Sequence, residues 1–140
     1  MAKVLVIVPF PMSEENRLQR MAQLAAVKLS PDVSFDFRPV RAAPANYTSE
    51  HDSVLADISI VDAGRNAEAE GYDAVCIDTM SDSGVTPLRS LLSIPVIGPG
   101  RASMLLAQTM GERFSILHAG FDDYFGMRIV LQEIVPETRD

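Results

Sequence analysis

Short apolar runs alternate along the chain with segments whose apolar positions recur every three or four residues. Residues 3–8, KVLVIV, form the first run; Pro9 and Pro11 bound it, which predicts a buried strand. Ser13 then stands as an N-cap before Leu18, Met21, Leu24, Ala25 and Val27, which follow at helical spacing, and Ser30-Pro31-Asp32 closes that helix. Val33, Phe35 and Phe37 alternate with polar residues, as in a strand with one wetter face near a sheet edge. Residues 38–48, RPVRAAPANYT, have two prolines and no period, and predict a loop. Ser49 with Asp52 makes a capping box in which Asp replaces Glu, and Val54, Leu55, Ile58 and Val61 continue a helix that Gly71 can stop.

Residues 72–78, YDAVCID, form a strand apolar on both faces, which belongs in the middle of a parallel sheet. Thr86-Pro87 predicts the start of the next helix, as cap and first-turn proline. A short strand follows at 94–97, then a Gly98-Pro99-Gly100 turn, a helix over 101–110 closed by Gly111, and a fifth strand over 113–118. From Gly120, FDDYFGMRIVLQEIV fits a final helix interrupted by Gly126, or a helix followed by a strand; the helix is preferred.

The alternation predicts one α/β domain over residues 1–140, with 119–140 as a C-terminal helix or tail. Its architecture is a doubly wound, mainly parallel, flavodoxin-like sheet of about five strands with helices on both faces. Ligands of such sheets bind at the carboxyl ends of the strands. Four loops lie there: residues 9–13, 38–48, 79–85 and 98–101.

Composition narrows the function. Hydrophobic residues make up 47% of the 140 and charged residues 22%, which excludes a disordered chain. A formal charge of −7 argues against nucleic acid or an anionic membrane as partner. The run at 4–8 is too short for a signal-peptide core or a membrane span, and one cysteine rules out an internal disulfide. A cytoplasmic protein without a membrane partner is expected.

The chemistry concentrates in CIDTMSDSG, residues 76–84, where a strand runs into two carboxylates and three hydroxyls. Asp78 and Asp82 are hard oxygen donors, and the layout is similar to the phospho-accepting loop of a response-regulator receiver. A receiver also needs an acidic pair after the first strand and a lysine closing the fifth. Pro9-Phe10-Pro11 and His118 stand there instead, so a metal or phosphoryl site is rejected and no cofactor is expected. The Gly98-Pro99-Gly100-Arg101 stretch opens a helix and offers backbone N–H groups to an anion, a carboxylate as well as a phosphate; an ordinary tight turn accounts for it equally. Cys76 lies inside its strand and reads as a small buried hydrophobe. His118 reads as a structural hydrogen-bonding residue rather than a proton shuttle, and His51 as a surface residue. Thr79, Ser81 and Ser83 are poor nucleophiles without an activator but good donors to a carboxylate or amide.

Residues 71–117, GYDAVCIDTMSDSGVTPLRSLLSIPVIGPGRASMLLAQTMGERFSIL, resemble the aspartate/glutamate/hydantoin racemase superfamily. KVLVIVPFP and the helix after it also fit. The resemblance implies one half of a racemase-type fold. It also implies cofactor-independent proton transfer at the α-carbon of a small amino acid, hydantoin or related carboxylate, using two cysteines that face each other across the substrate. Counting back from Asp82 and Gly84, the first cysteine position falls on Thr79, not on Cys76. The loop after the first strand has Pro9-Phe10 where many relatives carry an asparagine, and 140 residues leave little room for the half that carries the second cysteine. The chain is then a single-half relative or a fragment.

The expected isomerase uses Thr79 and Asp82 as catalytic residues, with Asp78 or Asp82 a better acid/base than any thiol. Phe10, Asp78, Ser81, Ser83 and Gly84 line the substrate pocket, and Gly98, Gly100 and Arg101 receive its anionic end. The partner is a small carboxylate or amide. The alternative is a non-catalytic module that binds a small carboxylate in the same pocket. Pairing of two copies would supply a facing half and make the chain a homo-oligomer.

Overall fold

The computed structural model of the chain describes residues 1–111 and 113–116. In chain order they form β1 (Ala2–Val8), α1 (Glu14–Ala22) running into a 3-10 turn (Gln23–Ala26), β2 (Val33–Pro39), α2 (Glu50–Gly64), β3 (Ala74–Ile77), α3 (Val85–Leu91), β4 (Val96–Ile97) and α4 (Pro99–Met110). Four strands pair in the order β2-β1-β3-β4, all parallel. Residues 113–116 carry no strand pairing; the rest of the expected fifth strand and the tail lie outside the described residues.

β1 pairs with both β2 and β3, Ile7 lying opposite Arg38 on one side and Ile77 on the other. Alternate residues of the two inner strands face opposite layers. Leu5, Ile7, Val75 and Ile77 pack with Ile60 of α2 and Leu88 of α3, while Val6, Val8 and Phe37 pack with Met21 and Leu24 from the other side. Full burial of a side chain such as Ile60 or Leu88 contributes roughly 1.5–3 kcal/mol. β2, the strand with alternating character, is an edge strand, as its pattern predicts.

Several element details differ from the sequence reading. In α1 and its 3-10 turn the core contacts come from Met21 and Leu24, while Leu18 is exposed and so is Val27, which is already extended. In α2 the buried face is Ala56, Ile60 and Gly64; Val54, Leu55 and Ile58 face outward. Small residues win there because the helix lies close to the sheet: a Cβ on Gly64 would come within 2.6 Å of Ile7 Cδ1. The Ser49 capping box is complete, Ser49 Oγ accepting from Asp52 N–H and Asp52 Oδ2 accepting from Ser49 N–H. The helix itself ends at Gly64, and a run of turns carries the chain to Gly71. α3 starts at Val85 with Gly84 as its cap, so Thr86 and Pro87 fall inside its first turn. Pro99 is likewise the first residue of α4, with Gly98 as cap, so the expected Gly-Pro-Gly turn is the beginning of the helix.

Candidate functional site

Winding runs outward from β1 in one direction to β2 and in the other to β3 and β4, so the topological switch point lies between the carboxyl ends of β1 and β3. Phe10 follows one end and is 47% exposed; Asp78-Thr79 follows the other. The Tyr47 hydroxyl donates to the carbonyl of Pro9 at 3.0 Å, tying the 38–48 loop to this rim.

Asp78 continues the ladder by donating its N–H to Ile7 O. Its two carboxylate oxygens accept from Nε and Nη2 of Arg20 on α1, both at 2.8 Å. This two-pronged pair anchors α1 to the end of β3 and engages the carboxylate expected as an acid/base.

Beyond Asp78, three hydroxyls form a chain. Thr79 Oγ1 lies 3.1 Å from Ser81 Oγ, which lies 2.8 Å from Ser83 Oγ. Each is partly exposed; the two bonds use two of the three hydroxyl protons and leave one to turn toward a ligand.

Asp82 has a left-handed backbone, with φ of 54°. That conformation turns its carboxylate onto the start of α4, where Oδ1 accepts the N–H of Gly100 at 2.8 Å and Oδ2 that of Arg101 at 2.7 Å. Two of the backbone donors expected to receive a substrate's anionic end, those of Gly100 and Arg101, are therefore occupied by the chain's own Asp82. Gly98 and Gly100 make room for this approach, since a Cβ on Gly98 would collide with the Asp82 carboxylate, and one on Gly100 with the carbonyl oxygen of Met80. The loop and the helix start thus share one rim and touch.

Two residues that pattern reading passed over shape this loop. Asp57 of α2 accepts the N–H of Gly84, and burial pushes its carboxyl up from the ordinary aspartate value. Gly84 is buried with φ of +74° against Ile60, so a side chain there would meet both steric and backbone strain. Arg20 is the other. Each sits on a helix face as one polar residue among several, and only the fold shows which points at the rim.

Cys76 faces the layer of Val6, Val8 and Phe37 rather than the loop. Burial pushes its thiol up, and the carboxylates of Asp78 and Asp82 push it further. His118 lies outside the described residues. Among the described residues no group of three or more His, Cys, Asp or Glu is placed to hold a metal ion, and no helix is long and apolar enough to cross a membrane.

A separate open cleft of about 420 Å³ runs beside β2 and α2 and does not include residues 79–84. Its arginines are already engaged in part: Arg38 bonds the carbonyl of Ala63 and pairs with Glu70, and Arg65 approaches Asp62 at 3.7 Å.

Fold and rim together define a doubly wound α/β domain with a polar, hydroxyl-bearing loop at its switch point. The pattern of the Asp/Glu/hydantoin racemase family matches residues 5–124, and the chain belongs to that family. It is 30% identical over 77 residues to a hydantoin racemase of Pseudomonas sp. (strain NS671), a stretch covering 55% of this chain and 31% of that protein. A hydantoin racemase of Rhizobium meliloti is 31% identical over 74 residues, 53% of this chain and 31% of its own. The fold matches allantoin racemase from Klebsiella pneumoniae with a TM-score of 0.81 at 22% identity, over 95% of this chain and 54% of that one. Allantoin racemase from Pseudomonas fluorescens gives 0.77 at 19% identity, over 94% and 55%. The chain thus spans about half the length of these solved structures, and its matched stretch about a third of the curated relatives.

Proposed function

We propose that the 79–84 rim is the ligand-holding half of a cofactor-independent isomerase, which moves a proton at the α-carbon of a small amide- or ureide-bearing compound. The observation that carries this reading is the hydroxyl chain Thr79–Ser81–Ser83 at the switch point. Thr79 stands where the family resemblance places a cysteine. A hydroxyl is far too weak an acid for the thiolate's role, but it can donate to the oxygen that gains charge as the α-proton leaves. Thr79, Ser81 and Ser83 are assigned that role, and Phe10 covers the apolar side of the ligand. Asp82, committed to α4, takes a positioning role in place of acid/base work, and Asp78 holds α1 through Arg20. Proton removal is not assigned to Thr79, Ser81, Asp82 or Ser83, whose part is to hold the ligand and the charge it gains.

The test uses single enantiomers of hydantoins, allantoin and amino acids in deuterated water. Exchange at the α-carbon that falls about 100-fold or more in Thr79→Ala supports the reading, a loss on the scale of one well-placed donor.

A non-catalytic binding module is the second reading. It is favoured by the engagement of the carboxylates at the described rim, Asp78 by Arg20, Asp82 by the start of α4 and Asp57 by the Gly84 N–H. Ligand binding to residues 79–83 with no exchange for any candidate would decide for the module.

A further inference from the structure

We infer that the open cleft beside β2 and α2 is a second ligand site, which takes a small phosphorylated polyol by its phosphate and its hydroxyls. The inference is independent of the reading of the 79–84 rim, which shares no residue with this cleft.

At about 420 Å³ the cleft has the size of a small-molecule site. Three arginines and two carboxylates line it, so it is locally positive in a chain of net charge −7. The cations come from different elements. Arg38, near the end of β2, is pinned by the Ala63 carbonyl at 2.8 Å, by Glu70 and by the face of the Tyr72 ring, yet it keeps further N–H groups for a ligand. It also covers a carbonyl at the carboxyl end of α2, which would otherwise repel an anion. Arg41 follows Val40, which is buried and donates its N–H to Val8 O, so the backbone that carries Arg41 is anchored. The Arg41 side chain is exposed and has no hydrogen-bond or ion-pair partner among the described residues. Arg65, just past the last turn of α2, stands 3.7 Å from Asp62, too far for a hydrogen bond, and can turn to a stronger acceptor. Forked donors from three directions suit the tetrahedral oxygens of a phosphate better than a planar carboxylate. Asp62 and Glu70 would repel a bare anion, whereas hydroxyls on the same molecule can donate to them, and the Asn66 amide serves either group.

The test follows the backbone amides and arginine Nε–H groups of the full chain by ¹⁵N NMR during titration with glycerophosphate, glycerate, glycerol and inorganic phosphate. Glycerophosphate should shift the Arg41, Arg65 and Asn66 signals saturably, leave those of residues 79–84 unmoved, and bind about 10-fold more tightly than inorganic phosphate, the scale of a hydrogen bond to a charged group. Glycerol should give no response. Arg41→Gln breaks no contact among the described residues and should keep the native spectrum elsewhere, yet weaken glycerophosphate binding about 10-fold or more. No saturable shift at the cleft would overturn the inference, as would an Arg41→Gln variant that binds as the native chain does. Glycerate or inorganic phosphate binding as tightly as glycerophosphate would overturn it too, since the ligand would then lack either its phosphate or its hydroxyls. Shifts confined to residues 79–84 would place the ligand elsewhere and end the idea. The two sites are read on separate signals, so failure here leaves the rim's assignment to the deuterium-exchange assay, and failure there leaves this result standing.

Discussion

Asp57 Oδ1 lies 2.5 Å from the backbone nitrogen of Gly84 and accepts its hydrogen bond. One carboxylate on α2 thereby fixes the residue that caps α3 and follows the last of the three rim hydroxyls.

Asp57→Ala leaves a partly buried N–H without its acceptor and should cost about 1–3 kcal/mol in urea unfolding. Asp57→Asn keeps an acceptor oxygen and removes the charge. Because burial raises the carboxyl in the folded chain, folding favours the protonated form. The stability this gives is fully present below the unfolded aspartate value and is lost as pH rises through the raised folded value. Asp57→Asn should therefore hold its own against the native chain at pH 7 and fall behind only in acid. Equal stability differences at pH 3 and pH 7 would contradict this.

Gly98→Ala and Gly100→Ala test the close approach of loop and helix. The Gly100 methyl would meet backbone, the Met80 carbonyl, whereas that at Gly98 would meet the end of a side chain, though one held by two hydrogen bonds. Both should destabilise by roughly 1–3 kcal/mol, the range of overpacked sites, with Gly100→Ala the worse. Thermal unfolding of the two variants measures the order.

Much of this architecture was legible from pattern. The apolar run at residues 3–8, the alternating Val33-Phe35-Phe37 and the two-faced apolar YDAVCI placed β1, β2 and β3 in their proper sheet positions, because strand burial follows period and hydropathy directly. The capping box at Ser49 also reads locally. What pattern could not give is where a backbone donor finds its acceptor. Gly-Pro-Gly-Arg looks like an open anion cradle until Asp82, 18 residues before Gly100, is folded onto it. The buried face of α2 was read only in part for a related reason: of Val54, Leu55, Ile58 and Val61 only Val61 packs against the core, while the close approach of sheet and helix selects Ala56 and Gly64 beside Ile60.

The Arg20–Asp78 pair should act as a clasp of moderate strength. Its side chains are 39% and 22% exposed, so solvent screens it, yet both carboxylate oxygens are engaged. A double-mutant cycle with Arg20→Gln and Asp78→Asn should return a coupling of about 1 kcal/mol, the upper end for exposed pairs. Raising the salt concentration should reduce it. A coupling near zero would mean that α1 is held by Met21 and Leu24 alone.

Asp78 of this clasp also bears on the reactivity of Cys76. Its thiol is raised first by burial, then by the Asp78 carboxylate, then by that of Asp82. Since the thiolate is the reacting form, alkylation by iodoacetamide at pH 7.5 should be slow in the folded native chain. Asp78→Asn removes the larger of the two charges and leaves Arg20 uncompensated, so the thiol should move down and alkylate about 2–5-fold faster, the scale of a partly screened charge at close range. Arg20→Gln does the reverse, leaving Asp78 unneutralised, and should slow the reaction further. Burial is the leading cause and is untouched by either change, so neither variant should approach the rate of an exposed thiol. Rates that rise equally in both variants would show that loosening of α1, rather than charge, controls access to Cys76.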